Sequence, residues 1–87
     1  MKKSEYDNQK QIVRVEGREI TLSRREFQCL KLLAHGRRIK EIAMLLHISP
    51  RTVEDYITTS RNKINVSNSC SLINFYWGYI EPKIIMI

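Results

Sequence analysis

Four hydrogen-bonding side chains recur at helical spacing between positions 51 and 62: Arg51, Asp55, Thr58 and Asn62, separated by four, three and four residues. On an α-helix they form one outward row, flanked by Glu54, Thr59 and Arg61. A guanidinium in such a row can read guanine or grip phosphate, and the hydroxyls of Thr52 and Thr58 suit phosphate oxygens or a thymine methyl. Glu54 and Asp55 repel phosphate unless they accept from a cytosine amino group or brace a neighbouring Arg. Asp55 lies one turn after Arg51, so those two can meet. A second group, Arg37, Arg38 and Lys40, precedes the row. Cations at a helix N-terminus oppose the helix dipole, whereas the free amides there attract anions. Contact with a phosphate backbone makes sense of this group; the competing reading is charge carried for solubility.

Catalysis has no comparable constellation. The two histidines, His35 and His47, have no Ser, Cys or Asp partner at a telling spacing, and neither pairs with Cys at metal-ligand spacing. Glu54 and Asp55 are sequential, so their side chains diverge and make a poor acid/base pair. There is no Gly-rich phosphate loop. The chain is therefore expected not to be an enzyme and to need neither metal nor cofactor.

The elements that must hold the row lie in residues 39–64, IKEIAMLLHISPRTVEDYITTSRNKI. Ile42, Ala43, Leu46, Val53, Tyr56 and Ile57 recur at helical spacing and predict two helices, each with one apolar face. Ser49 can cap the second of these, and Pro50 suits its first turn. Ile48 would plug the corner, the small Ala43 sits where the helices cross, and His47 falls where positive φ is usual. Two helices and a short turn make a helix-turn-helix. An α-helix fits the DNA major groove, and in this geometry its outward side chains reach base edges.

The matching residues extend further in both directions. They run Leu22-Ser23-x-Arg25-Glu26, Leu30-x-Leu32-Leu33-Ala34-x-Gly36, Lys40-Glu41-Ile42-Ala43, Leu46-x-Ile48-Ser49, Thr52-Val53-Glu54 and Lys63-Ile64-x-Val66. In order and spacing, without insertion, this resembles the LuxR-type helix-turn-helix domain, also called the NarL/FixJ output domain. Tyr56 stands where that family usually has His, Ser60 where it has Ile, and Ile39 where a polar cap normally opens the second helix. The resemblance implies a mainly α fold of four helices. It also implies double-stranded DNA as partner, a dimer on a two-fold site, and Lys63 as a further contact. RNA polymerase or another regulator is a candidate partner. No receiver or ligand-binding domain lies within these 87 residues, so the chain resembles the small stand-alone members, the alternative being a fragment of a longer regulator.

Ser23 and Glu26 form a capping box for the first helix, with Leu22 and Phe27 placed as its hydrophobic staple; Gly36 ends it. Before it, apolar residues alternate on both sides of Glu16-Gly17, predicting a short β-hairpin over residues 12–22. Residues 1–11 are polar and read as a flexible arm. The domain proper spans residues 12–80, and residues 81–87 form a tail in which 83–87 could pair with the hairpin. The last helix, starting near Ser67 or Ser69, is apolar nearly all round. By analogy it supplies a dimer interface, with Ile73, Tyr76, Trp77 and Ile80, and the aromatic Phe75 and Tyr79, as candidate anchors. The competing reading buries it within the monomer.

Eighty-seven residues leave room for one modest core. The net charge of +6 is uneven: residues 1–40 carry eleven Lys or Arg against five Asp or Glu, residues 41–87 four against four. A basic half attracts polyanions, and its place beside a helix-turn-helix favours nucleic acid. No apolar run approaches the roughly 20 residues of a membrane span, and no secretory signal opens the chain. Cys29 and Cys70 show no C-x-x-C spacing and read as buried, reduced thiols. A cytoplasmic protein of the bacterial nucleoid is expected, regulating transcription by sequence-specific DNA binding. The alternative is a protein-interaction module of the same fold that no longer reads DNA.

Overall fold

In the computed structural model, the structure describes residues 10–81. It opens with an antiparallel hairpin, β1 (Gln11–Val15) and β2 (Arg18–Leu22). Glu16 and Gly17 both have positive φ, 49° and 81°, as the two-residue turn that matches strand twist requires. Val13 faces Ile20 across the ladder, and both turn inward with Val15 and Leu22. A lone hairpin is marginal in water. Here its inner face is closed by the helices, and Arg18 donates through Nη2 to the carbonyl of Ile64 at 3.1 Å. The hairpin begins at Gln11, one residue inside the expected arm. Residues 1–9 and the strand expected at 83–87 lie outside the described residues.

Four helices follow: α1 (Arg24–Ala34), α2 (Ile39–Leu46), α3 (Pro50–Ile64) and α4 (Ser69–Phe75). The capping box of α1 is complete, with Glu26 N–H on Ser23 Oγ at 3.2 Å and Ser23 N–H on Glu26 Oε1 at 2.8 Å. Gly36, at φ 91°, closes the helix as Arg37 N–H bonds Leu32 O and Gly36 N–H bonds Leu33 O. The start of α2 differs from expectation. Arg38, not Ile39, is the capping residue, and Glu41 reaches back to accept from its N–H at 2.8 Å. The missing polar cap is thus replaced by an acid in the first turn, and Ile39 becomes a half-buried first helical residue. His47 sits at φ 59° and ends α2; Ser49 caps α3 and accepts from Thr52 N–H at 3.1 Å.

One core joins all these elements. Leu22, Leu30, Ile42, Val53, Leu72 and Tyr76 have no exposed surface, and α3 packs against α1, α2, α4 and β2. Ser60 is fully buried in place of a larger apolar residue, and its hydroxyl donates to Tyr56 O at 2.9 Å. That bond removes the cost of an unsatisfied buried hydroxyl. Asn68, between Ser67 and Ser69, caps α4 by accepting from Ser71 N–H. Beyond Phe75 the helix widens into a π-helical turn, Tyr76–Ile80, closed by Glu81 N–H on Tyr76 O.

The last helix therefore corrects the interface expectation at two positions. Tyr76 is 0% exposed and Ile80 2% exposed, so both belong to the core of the monomer and cannot anchor a partner. The Tyr76 ring packs near Phe27, His35 and Trp77, and its hydroxyl donates to Glu81. Trp77 and Tyr79 remain exposed, each at 43%; Ile73 and Phe75 are half-buried. Trp77 is nevertheless tethered, donating through Nε1 to Ala34 O at 3.0 Å and packing on His35.

Candidate nucleic-acid interface

Helix α3 has two faces of opposite character. Val53, Ile57, Ser60 and Ile64 are buried and Tyr56 is half-buried, which fixes the helix by its back. Arg51, Glu54, Asp55, Thr58, Thr59 and Asn62 are all exposed. The row is pre-arranged by bonds within the helix. Arg51 Nε donates to Asp55 Oδ1 at 3.3 Å, with the two side chains 81% and 67% exposed. Thr59 Oγ1 donates to Asp55 O, and Arg61 Nη2 lies 3.4 Å from Thr58 Oγ1. Thr52 is half-buried and its hydroxyl shares a 2.9 Å hydrogen bond with Ser49 Oγ, so it serves the cap of α3.

Arg37, Arg38 and Lys40 are exposed where α1 hands over to α2. Arg37 and Arg38 are fixed there by their backbones, through the closing bonds of α1 and the cap of α2. Their side chains carry positive charge to the N-terminus of α2, where the helix already favours an anion.

Lys63 is placed differently from the rest. Its ammonium donates to Glu26 Oε1 at 2.8 Å and to Thr21 O at 3.0 Å. It ties the end of α3 to the start of α1 and to β2. Burial raises the pKa of the Glu26 carboxyl, but Lys63 and the two Ser23 bonds outweigh it, and the net shift is below the ordinary value. The acid is thus ionised and committed to Lys63. Two further cations serve helix ends: Arg18 at the last turn of α3, and Arg25, whose Nη1 lies 3.5 Å from Leu46 O at the end of α2.

Sequence reasoning did not single out the outer face of α2. Met44 is 75% and Leu45 54% exposed, and Met44 borders a shallow apolar hollow with Lys40, Ala43, His47, Ile48 and Pro50. Their position off the Ile42/Ala43/Leu46 stripe was the available signal. The cysteines divide: Cys29 is buried, and burial pushes its thiol up to about 11, whereas Cys70 is exposed rather than buried. Among the described residues no group of three or more His, Cys, Asp or Glu stands together to hold a metal, and no helix is long and apolar enough to cross a membrane.

The helix-turn-helix, its caps and its outward row lie within a stretch, residues 20–76, that matches the family described as bacterial regulatory proteins, luxR family. The chain belongs to this LuxR family. It is 41% identical over 56 residues to the transcriptional regulatory protein UhpA of Escherichia coli (strain K12), a match covering 64% of this chain and 29% of that protein. It is 42% identical over 48 residues to the transcriptional activator protein RaiR of Rhizobium etli, covering 55% and 20%. Identity to the response regulator RamR of Streptomyces coelicolor is 37% over 59 residues, covering 68% and 29%. The chain thus spans less than a third of the length of these relatives. No solved structure matches it significantly. Its fold is that of the LuxR-type helix-turn-helix, a DNA-binding unit of transcriptional regulators.

Proposed function

We propose that this chain regulates transcription by binding duplex DNA sequence-specifically, as a homodimer on a two-fold site, with α3 in the major groove. The observation that carries the reading is the split of α3 into a fully anchored back and an exposed polar row. Arg51, Glu54, Asp55, Thr58, Thr59 and Asn62 face the bases or the groove walls, while Arg37, Arg38 and Lys40 meet phosphate. Thr52 contributes through the cap it shares with Ser49. The homodimer uses the exposed part of the last helix, Trp77 and Tyr79 with Ile73 at its edge. RNA polymerase or another regulator is the further partner, and the site of action is the bacterial nucleoid.

Binding to duplex DNA across a salt series tests the reading. Three phosphate contacts per protomer give a dimer a log–log slope of about −5. Alanine at Arg37, Arg38 or Lys40 should weaken all sequences alike and flatten that slope. No binding at low salt would refute DNA reading. The interaction-module alternative would then rest on the exposed Met44, Leu45, Trp77 and Tyr79.

A further inference from the structure

Asp55 is an acid in the middle of a row meant to approach a polyanion. Stability does not account for it, because an exposed pair at this spacing contributes at most about 1 kcal/mol. Its geometry offers a better account. Asp55 Oδ1 occupies the Nε–H of Arg51, while the four N–H bonds on Nη1 and Nη2 have no partner among the described residues. A guanidinium can grip a base side-on, through Nε and one Nη, or end-on, through both Nη groups. The carboxylate closes the first mode and leaves the second.

We propose that Arg51 and Asp55 act as one reading unit, in which Asp55 holds Nε so that Arg51 meets a guanine end-on at O6 and N7. The inference rests on the DNA-binding reading above and deepens it. Guanine is favoured over phosphate as the target because a carboxylate beside a phosphate-bound Arg would face that phosphate. Over the base edges, its second oxygen can instead accept from the amino group of an adjacent cytosine or adenine. Arg51 is also well placed, since the N-terminal residues of a recognition helix contact base edges. A site lacking the amino partner leaves the carboxylate desolvated, so Asp55 acts against random DNA as well as for the correct site.

Selection from a randomised duplex library at one fixed salt, followed by affinity for the selected site across a salt series, tests this with the whole chain and two variants. The parent should select guanine at one position in each half-site. Asp55→Asn keeps the shape but not the charge. Its guanine preference at that position should fall, within the five- to 150-fold range (about) that a bidentate contact supplies, while binding to random duplex tightens. Arg51→Lys keeps the cation and can still meet Asp55, but it lacks the planar fork. Its guanine preference should fall, because a Lys ammonium can reach O6 and N7 but is not held in a fixed plane by Asp55, and its salt slope should be kept. If Asp55→Asn binds every sequence more tightly by one common factor, with an unchanged profile, Asp55 acts by charge alone and the inference is wrong. It is equally wrong if the parent binds with the expected slope but prefers no guanine. A parent that binds no duplex at all refutes the DNA-binding reading first.

Discussion

Replacing Glu26 by Gln removes a charge while keeping most of its shape. Gln serves as the third residue of a capping box as well as Glu does, so the bond from Ser23 N–H survives. What is lost is the charge partner of Lys63. Removing one member of a fully buried pair costs about 3–5 kcal/mol, but Lys63 is 39% exposed and can turn to water. The expected loss is therefore about 1–2 kcal/mol. For a domain of this size each 1 kcal/mol lowers the melting temperature by about 4–8 °C. The pH dependence adds a second signature. The Glu26 pKa is lowered in the fold from 4.5, so its stabilisation is complete above pH 4.5 and disappears as pH falls through the folded-state value. Parent and Glu26→Gln should differ most near neutrality and converge in acid. Thermal unfolding by circular dichroism at several pH values, with Lys63→Met and the double variant completing a cycle, measures both effects. Equal melting temperatures at pH 7, a gap that does not narrow on acidification, or additive single changes would each refute the clasp between α3 and α1.

Polar substitution of Trp77 should leave the monomer folded but weaken self-association, as sedimentation would measure, whereas Tyr76→Ala should unfold much of the population by costing about 3–5 kcal/mol. A parent that is monomeric both free at high concentration and on DNA would exclude the last helix as an interface. Ser49→Ala should destabilise by about 1 kcal/mol through loss of the α3 cap, read in the denaturant midpoint.

Local signals were the legible ones. The capping box at Ser23 and Glu26, the positive φ at His47, the stop at Gly36 and the Glu16-Gly17 turn each depend on a few adjacent residues, and each is found where its chemistry predicts. The outward row of α3 was legible for the same reason, since helical spacing alone separates Arg51 from Val53. Contacts between distant residues left no such trace. An amphipathic pattern identifies which side chains are buried, not what buries them. Tyr76 and Ile80 carry no sign of whether a second copy or α1 covers them, and the π-helical turn changes which residues face outward. Charge was ambiguous in a related way. Arg18, Arg25 and Lys63 look like any surface cations in the sequence, yet each is bound to a backbone carbonyl or a buried carboxylate 21 or more positions away.

That internal use of cations sharpens the salt prediction. Counting Lys63 with Arg37, Arg38 and Lys40 would give four phosphate contacts per protomer and, for a dimer, a slope of about −7. A phosphate would have to draw the Lys63 ammonium from Glu26 and Thr21 O, leaving a buried carboxylate without its countercharge. Solvent-exposed phosphate contact does not offset a cost of that kind, because the Glu26 side chain is only 8% exposed and would stay buried without its partner. Three contacts and a slope of about −5 are therefore expected. Lys63→Gln should lower the melting temperature while leaving the slope unchanged. Loss of about two units of slope in that variant, with little change in stability, would return Lys63 to the phosphate-binding surface and show that the clasp opens on DNA.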